Sequence, residues 1–365
     1  MIRFIIYILL LTLLSSALNA QQLEDLKYVN ADDLMLIGKG FENAHVKYGR
    51  LPASMEKEFR KELISLGKNT SGIAVRFSTN STAIAARWTV IANVYMDHMP
   101  ATGSKGLDLY VLDGNRWCHT GTARHTEKTS AYFFIKNLSG ETREYIAYLP
   151  LYDGVELLEI GVDKEAIITK PQKSNLTKRS DVKPIVFYGT SITQGGCASR
   201  PGMAYPSILG RMLNREIINL GFSGNGKLDL SMARAISMID AEAVVMDCLP
   251  NTTAQIVRDS AYLFIRHIAD AHPGIRILMI ENPEFPFAGF NTKILPELQE
   301  EDGEWKMLYE KLRKEGYKNI RYVRGKGMIG NDGEATVDGV HFTDLGFLRY
   351  AEGMYPYLKD KKVSY

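Results

Sequence analysis

The stretch Pro184–Gly196, PIVFYGTSITQGG, decides how the second half of the chain folds. Its run of β-branched and aromatic residues ends at Gly189, and Ser191 follows among small and hydroxylated neighbours. A short, continuous apolar run is typical of a strand buried on both faces. Ser191 then lies just past the carboxyl end of a strand, where α/β sheets bind their ligands. Serine is also common as a helix cap, so position alone leaves its role open.

The pattern of this strand recurs towards the carboxyl terminus. The later apolar runs are EIINLGF, AEAVVMDCL, IRILMIE and NIRYVR, and helical patterns such as TTAQIVRDSAYLFIRHIADAH separate them. Continuous apolar strands that alternate with amphipathic helices predict a parallel sheet covered on both faces. We therefore expect an α/β domain over residues 184–365.

Residues 21–168 follow a different pattern. Segments such as GLDLYVLDGNRWCHT, TSAYFFIKN and TREYIAYLPLY are rich in β-branched and aromatic residues and are separated by turn residues. Many short strands of this kind predict a β-sandwich, similar to a jelly roll. SMEKEFRKELISLG, at 54–67, predicts one amphipathic helix among them. Residues 169–183 are polar, contain proline and lack periodicity, which predicts a linker.

The first 20 residues have the layout of a secretory signal peptide. An early cation precedes an apolar run from Phe4 to Leu14, and small residues lead to Ala20, after which we expect cleavage. A retained anchor helix is the alternative, although the run is short against the ~20 residues of a membrane span. No other segment is apolar enough to span a bilayer, so the sequence predicts a secreted, periplasmic or cell-surface protein.

Composition excludes some partners and leaves others open. The chain has 365 residues, 45% of them hydrophobic, and its 44 basic and 42 acidic residues give a net charge of +2. No basic tract suggests nucleic-acid binding. At most one disulfide can form among Cys118, Cys197 and Cys248, and the sequence does not say which, if any, pair. Neither metal nor cofactor is expected, because no ligand spacing is found among His119, His125, His267 and His272.

Several strand-end residues together suggest acyl-transfer chemistry. Asp338 and His341 are three positions apart in DGVHFTDLG, so His341 could accept the proton of a serine while Asp338 orients its ring. INLGFSGNG contains three glycines that allow close backbone approach. Asn251, in VVMDCLPN, could donate to an oxyanion. Each feature also has a structural explanation, and for Asn251 this is a cap on the helix beginning at TTAQIV.

In combination these residues resemble the SGNH, or GDSL-like, hydrolases across residues 184–365. GTSITQG resembles the first block of that family, whose nucleophile corresponds to Ser191. The second-block glycine corresponds to Gly224, the third-block asparagine to Asn251, and the fifth-block Asp-x-x-His to Asp338 and His341. The resemblance implies a flavodoxin-like three-layer α/β/α domain. It also implies an oxyanion hole formed by the Ser191 and Gly224 N–H groups and the Asn251 side chain.

Two departures and one addition indicate a subgroup. Thr190 occupies the place of the usual aspartate before the nucleophile, and residues 249–252 read Leu-Pro-Asn-Thr without the usual Gly-x-Asn-Asp. GLDLY, at 106–110, resembles the Gly-x-Asp-Leu-Tyr motif of an N-terminal domain that precedes some of these esterases. Asp108 alternates with apolar neighbours, so it should point away from the face of Leu107 and Leu109. If that opposite face meets the catalytic domain, Asp108 or Tyr110 lies at the interface.

The sequence thus predicts an exported serine esterase that removes a small acyl group, with acetyl expected, from a carbohydrate. Candidate substrate-binding residues are Arg200, Tyr205 and Glu281, although for Arg200 a structural pairing with an acid is favoured over binding an anionic or hydroxylated group. Two alternatives remain. One is an esterase, lipase or thioesterase that acts on a non-carbohydrate ester, and the other is an inactive carbohydrate-binding protein.

Overall fold

The computed structural model of the protein describes residues 22–171 and 182–359. The predicted signal peptide, residues 1–20, lies outside the described residues, as does most of the predicted linker. Within the two described ranges, no helix combines the length and the apolar character needed to cross a membrane.

Residues 22–171 form two antiparallel sheets that pack face to face. One sheet has the order β1-β9-β4-β7, and the other has the order β10-β3-β8-β5-β6 with β2 also paired to β3. Alternate residues of these strands fill a shared apolar core that includes Phe77, Trp88 and Ile160. The predicted β-sandwich is therefore confirmed. Its strands are β1 (Lys27–Asn30), β2 (Met35–Ile37), β3 (Ala74–Thr79), β4 (Ile84–Val90), β5 (Leu107–Asp113), β6 (Arg116–Ala123), β7 (Thr129–Ile135), β8 (Arg143–Tyr148), β9 (Val155–Val162) and β10 (Ile168–Thr169).

The helix expected at 54–67 is instead two short helices, which corrects the prediction. A 3₁₀ helix, Ala53–Glu58, precedes the α-helix α1, Lys61–Leu66. Phe59 and Arg60 between them have extended backbone. The Arg60 guanidinium donates to Asp229, at 2.7 and 2.9 Å, in the second half of the chain. The chain therefore turns towards this partner where the apolar periodicity alone would continue a helix.

Residues 182–359 contain a five-stranded parallel sheet with the order β12-β11-β13-β14-β15. Numbered from its own first strand, this is the order 2-1-3-4-5 of flavodoxin-like folds, whose ligands bind at the carboxyl ends where the strand order reverses. Gly189, which ends β11, pairs with Gly221 of β12 and Asp247 of β13 at this edge. The strands are β11 (Ile185–Gly189), β12 (Ile217–Gly221), β13 (Ala243–Asp247), β14 (Arg276–Ile280) and β15 (Ile320–Val323).

Helices cover both faces of this sheet. Ile185 and Phe187 of β11 pack on the side of α4 and α8, whereas Val186 and Tyr188 pack on the side of α5, α6 and α7. The predicted three-layer α/β/α arrangement is confirmed. The helices after α1 are α2 (Ala101–Ser104), α3 (Ser191–Gln194), α4 (Tyr205–Leu213), α5 (Leu230–Ser237), α6 (Ala254–Ile256, continued by a π-helical segment Val257–Ala261 and by Tyr262–Ala271), α7 (Ile294–Lys314) and α8 (Asp344–Leu358).

The GLDLY segment lies between the sandwich and the α/β unit. Leu107 and Leu109 belong to the sandwich core, and Asp108 points the other way, as the alternation predicts. The buried Asp108 carboxylate accepts the Gly202 N–H at 3.0 Å and a guanidinium N–H of Arg200 at 2.8 Å. Burial raises the pKa of Asp108, and the positive charge of Arg200 opposes that rise. Hydrogen bonds of the buried Asp108 therefore join β5 to the segment before α4.

Candidate active site

Ser191 occupies the first position of α3, directly after β11. The cap of this helix is Thr190, whose hydroxyl accepts the Ile192 N–H at 3.1 Å. Because Thr190 performs the capping, the hydroxyl of Ser191 is left for another partner. Ser191 is 6% exposed. Ser191 is therefore not the cap of α3, which was one of the two roles that the sequence left open.

A continuous series of hydrogen bonds joins Ser191, His341 and Asp338. His341 Nε2 lies 2.9 Å from Ser191 Oγ, and His341 Nδ1 lies 2.7 Å from Asp338 Oδ2. A carboxylate only accepts hydrogen bonds, so Nδ1 carries the ring proton and Nε2 presents a lone pair to the serine hydroxyl. This is the arrangement in which histidine can take a proton from a serine nucleophile.

Asp338 is held in place by its own turn. Its Oδ1 accepts the N–H groups of Val340, at 3.0 Å, and His341, at 2.8 Å. Partial burial acts to raise the pKa of Asp338, but the hydrogen bonds from the His341 ring and from these two N–H groups outweigh it and lower the pKa to about 2. The group is therefore a carboxylate at neutral pH, and both of its oxygens have fixed partners.

The loop after β12 packs directly against the turn that carries Ser191. A Cβ atom at Gly226 would lie 2.5 Å from the Gly189 carbonyl oxygen, so only glycine allows this approach. Gly224 has φ +67°, and a Cβ there would meet no atom within 4 Å. Glycine is thus favoured at 226 by close packing and at 224 by its backbone conformation.

Asn251 faces the same loop through its side-chain amide. Its Oδ1 accepts the Gly226 N–H at 3.3 Å, which leaves Nδ2 as the donor for a bound group, apart from a 3.1 Å contact with the neighbouring Pro250 carbonyl. The cap of α6 is Thr253, whose hydroxyl accepts the Ile256 N–H at 3.3 Å. The alternative that Asn251 caps this helix is therefore not supported.

Side chains of the first half of the chain hold α3 and the Gly224 loop. Gln194 of α3 accepts the Ser223 N–H at 2.9 Å and donates to the Leu151 carbonyl at 3.0 Å. Ser71 Oγ donates to the Gln194 carbonyl at 2.6 Å, and Tyr152 Oη lies 3.4 Å from the Ser191 carbonyl oxygen. No motif in the sequence marked these residues, because they become neighbours only when the two halves pack together.

Arg50 also joins the two halves of the chain, and the sequence did not indicate this role. Its guanidinium is buried and donates only to backbone carbonyls among the described residues, including those of Asn219 at 3.1 Å and Gly221 at 2.6 Å in β12. It also lies over the Phe222 ring, 4.8 Å from the ring centroid. Burial lowers the pKa of Arg50 to about 9, so it remains charged at neutral pH. Arg50 therefore fixes the end of β12 from which the Gly224 loop starts.

A buried carboxylate supports the nucleophile turn from within the sheet. Asp247, at the end of β13, accepts hydrogen bonds from Tyr205 at 2.6 Å, Tyr350 at 2.9 Å and Thr193 at 3.1 Å. Burial raises the pKa of Asp247, and the three hydroxyl donors oppose that rise. The group thereby links α3 to α4 and α8.

These contacts bear on the three candidate substrate-binding residues. Tyr205 is 0% exposed and donates to Asp247, so the structure does not bring it to a substrate and the prediction is corrected. Arg200 is engaged by Asp108 and Tyr110, which favours its pairing role. Glu281 accepts from Tyr322 Oη at 2.6 Å and from the Gly325 N–H at 3.2 Å. All three therefore have protein partners, although Arg200 and Glu281 remain partly exposed.

The cysteines form no disulfide. Cys118, Cys197 and Cys248 are all free thiols. Burial raises the pKa of Cys197 to about 12, with a further contribution from the charge of Asp338. Both Cys197 and Cys248 are buried, so neither is activated as a nucleophile.

Comparisons with protein families cover most of the chain. The profile of the GDSL-like Lipase/Acylhydrolase family matches residues 182–359. A profile described as the N-terminus of Esterase_SGNH_hydro-type matches residues 26–168, which include the GLDLY segment. A sequence search among curated proteins found no match.

Solved structures resemble the chain over nearly its whole length. One, described as a GDSL-like lipase from Bacteroides ovatus, is 34% identical with a TM-score of 0.86, over 91% of this chain and 97% of that chain. A salicylyl-acyltransferase from a tetracycline biosynthetic pathway is 18% identical with a TM-score of 0.71, over 90% and 95%. An acetyl xylan esterase from the rumen bacterium Butyrivibrio proteoclasticus is 10% identical with a TM-score of 0.55, over 91% and 98%. The last two share the fold. The identity to the first, over most of both chains, shows that this protein belongs to the GDSL-like lipase/acylhydrolase family, also called SGNH hydrolases.

Proposed function

We propose that the protein is an exported serine esterase that hydrolyses a small acyl ester, with acetyl as the acyl group, on a carbohydrate. The observation that carries the proposal is the hydrogen-bonded series from Ser191 Oγ through His341 to Asp338. Membership of the GDSL-like family supports ester hydrolysis as the reaction class.

In the proposed mechanism, Ser191 Oγ attacks the ester carbonyl while His341 Nε2 takes its proton. Asp338 keeps the proton on Nδ1 and stabilises the imidazolium that forms. The Ser191 and Gly224 N–H groups and Asn251 Nδ2 donate to the oxyanion. His341 then protonates the leaving alkoxide, and water, deprotonated by His341, releases the acid from Ser191.

A groove beside the Gly224 loop has polar groups that could bind a hydroxylated substrate. It has a volume of about 600 Å³ and begins at Ser223 and Asn225, on either side of Gly224. Most of the residues that line it have polar side chains, and Tyr152 adds an aromatic ring to the lining. The lining residues are Lys61, Glu62, Ser65, Leu66, Tyr152, Ser223 and Asn225. The hydroxyl, amide and charged groups of this lining offer hydrogen-bond partners to the hydroxyls of a carbohydrate.

The acyl group and the alcohol require separate tests. The purified protein is assayed with aryl acetate, butyrate and octanoate, and acetate release is measured from acetylated polysaccharides. We expect the acetate ester to be the best aryl substrate and acetylated polysaccharide to release acetate. Ser191→Ala is the control, because it removes the nucleophile with little change in volume, and it should abolish both activities.

Different outcomes correspond to the two alternatives. Preference for octanoate with no acetate release from polysaccharide would indicate an esterase or lipase for non-carbohydrate esters. Polysaccharide binding without turnover of any ester would indicate a carbohydrate-binding protein. Wild-type activity in Ser191→Ala would overturn the assignment of the nucleophile.

Export is proposed from the amino-terminal sequence alone. If residues 1–20 are a cleaved signal peptide, the mature protein begins at Gln21. Amino-terminal sequencing of protein recovered from outside the cytoplasm tests this. A start at Met1 would mean that the segment is retained.

A further inference from the structure

Three side chains of the types that bind metals, distant in sequence, meet beside the Ser191–His341 pair. His98, Cys197 and His341 each place a ligand atom so that all three atoms lie within 4.8 Å of one another. His98 comes from the loop before α2 in the first half of the chain, and its ring centroid is 5.7 Å from that of His341. The histidine spacing in the sequence could not show this set, because only the packing of the two halves assembles it.

Both histidines already have the carboxylate partner that is typical of metal ligands. His98 Nδ1 lies 2.9 Å from Asp97 Oδ1, and His341 Nδ1 lies 2.7 Å from Asp338 Oδ2. Metal-binding histidines usually donate their second N–H to a carboxylate, which fixes the tautomer and leaves the other nitrogen as the ligand. Here this leaves Nε2 of each ring, together with the Cys197 thiol.

We propose that His98, Cys197 and His341 form an inhibitory Zn²⁺ site. Imidazole nitrogens and thiolates are both ligands of Zn²⁺, with Zn–N of about 2.0–2.1 Å and Zn–S of about 2.3 Å. Ligand atoms in such a tetrahedron are roughly 3.5 Å apart, so modest side-chain rotation from the observed spacing is needed. The His98 side chain, 37% exposed, has room to make it. Water completes the coordination.

The site turns the enzyme off because it uses the lone pair that catalysis needs. His341 Nε2 accepts the hydrogen bond of Ser191 Oγ in the metal-free protein. Once Nε2 is bound to zinc it has no lone pair to take the serine proton. Binding converts the Cys197 thiol to a thiolate and releases one proton to solvent. Removal of zinc by a chelator restores the thiol and the base.

The inhibition experiment uses the full chain, and it rests on the esterase function proposed above. Aryl acetate hydrolysis is measured while Zn²⁺ is added in the micromolar range and then removed with EDTA. We expect at least a tenfold loss of rate that EDTA reverses. His98→Gln and Cys197→Ser should have near wild-type rates without zinc and should need at least tenfold more zinc for half inhibition. The exposed His267→Gln, distant in the fold on α6, is the matched control and should keep wild-type sensitivity.

A binding experiment separates the site from the activity. Co²⁺ is added to Ser191→Ala, and the near-ultraviolet thiolate-to-cobalt charge-transfer band is recorded. The band should appear, and it should disappear when Cys197→Ser is added to the same background. This readout remains valid if the protein hydrolyses no ester, so the two proposals can fail separately.

Three results would overturn the metal site. One is the absence of a charge-transfer band, and the second is equal zinc inhibition of wild type and His98→Gln, which would locate the metal elsewhere. The third is a His98→Gln variant with a raised KM and unchanged zinc inhibition, which would identify His98 as a substrate contact. If Cys197→Ser does not fold, the exposed His98 variant decides the outcome.

Discussion

Ser191, His341 and Asp338 all come from residues 182–359, whereas much of the scaffold that holds α3 and the Gly224 loop comes from residues 22–171. The contacts of Gln194 with Ser71 and Leu151 cross between these halves. Arg50 crosses in the same way to the carbonyls of β12. The first half therefore takes part in shaping the candidate site without contributing a member of the Ser–His–Asp series.

The two halves should respond differently to substitution. A group that acts only in the transition state changes kcat and leaves stability nearly untouched. A buried group that holds a loop through hydrogen bonds changes the free energy of unfolding and, through the loop, the rate. The predictions below test this division, beginning with the largest expected effect.

Asp338→Asn should have the largest effect on rate. The amide would favour the wrong His341 tautomer, and in a serine triad this change lowers kcat by about 10⁴-fold. We expect a loss of that order at neutral pH with a melting temperature close to wild type. Asp332→Asn is the matched control, because Asp332 lies in the same segment but pairs with Arg349. Near-normal turnover in Asp338→Asn would mean that another group orients His341.

Asn251→Ala should have the next largest effect. Loss of one oxyanion donor lowers kcat by about 10²–10³-fold, and we expect KM to change little. Thr253→Ala is the matched control, because Thr253 caps α6 and its loss should cost about 1 kcal/mol of stability without a matching loss of kcat. A variant of Asn251 that is less stable but fully active would assign it a structural role.

Arg50→Met tests the contribution of the first half. It leaves the Asn219 and Gly221 carbonyls without their donor, at about 1–3 kcal/mol for each buried group that stays unsatisfied. We expect the free energy of unfolding to fall by about 3 kcal/mol and kcat to fall roughly tenfold as the Gly224 loop loosens. Arg87→Met, on β4 and paired with Glu159, is the control for losing an arginine from the sandwich. Unchanged kcat in the folded Arg50 variant would limit the first half to a stabilising role.

Sequence patterns predicted the features that depend on local order. Short β runs separated by turn residues predicted the sandwich, and apolar runs separated by helical patterns predicted the parallel sheet. A strand end marked Ser191, and the three-residue spacing from Asp338 marked His341. The break at Phe59–Arg60 escaped prediction, because the partner of Arg60 lies 169 positions away, at Asp229. Tyr205 was misread for a similar reason. Its partner, Asp247, ends a strand 42 positions later, and nothing local distinguishes a buried hydroxyl from an exposed one.

A further group of acids lies beside Asn251 within the second half. Glu301 accepts from Asn282 Nδ2 at 2.9 Å and also holds the Thr252 hydroxyl. Asp302 accepts the Asn282 N–H at 3.0 Å. Burial raises the pKa of Asp302 to about 6, and the negative charge of Glu281 adds to this rise. The hydrogen bonds from Asn282 oppose it. These acids support the turn next to Asn251.

The smallest expected effect is the pH dependence that Asp302 contributes. Its folded pKa lies above the unfolded value of about 3.9, so the folded state binds more protons between about pH 4 and 6, and stability falls as pH rises through that window. Asp302→Asn keeps an acceptor for Asn282 but cannot ionise. We expect it to be more stable than wild type by about 1–2 kcal/mol at pH 8 and the advantage to shrink by pH 4.5.

Urea unfolding at both pH values measures this, with the exposed Asp240→Asn as control. An advantage of equal size at both pH values would show that the ionisation of Asp302 is not its source, and a tenfold loss of kcat at neutral pH would move this acid from the supporting residues to those that act with Asn251.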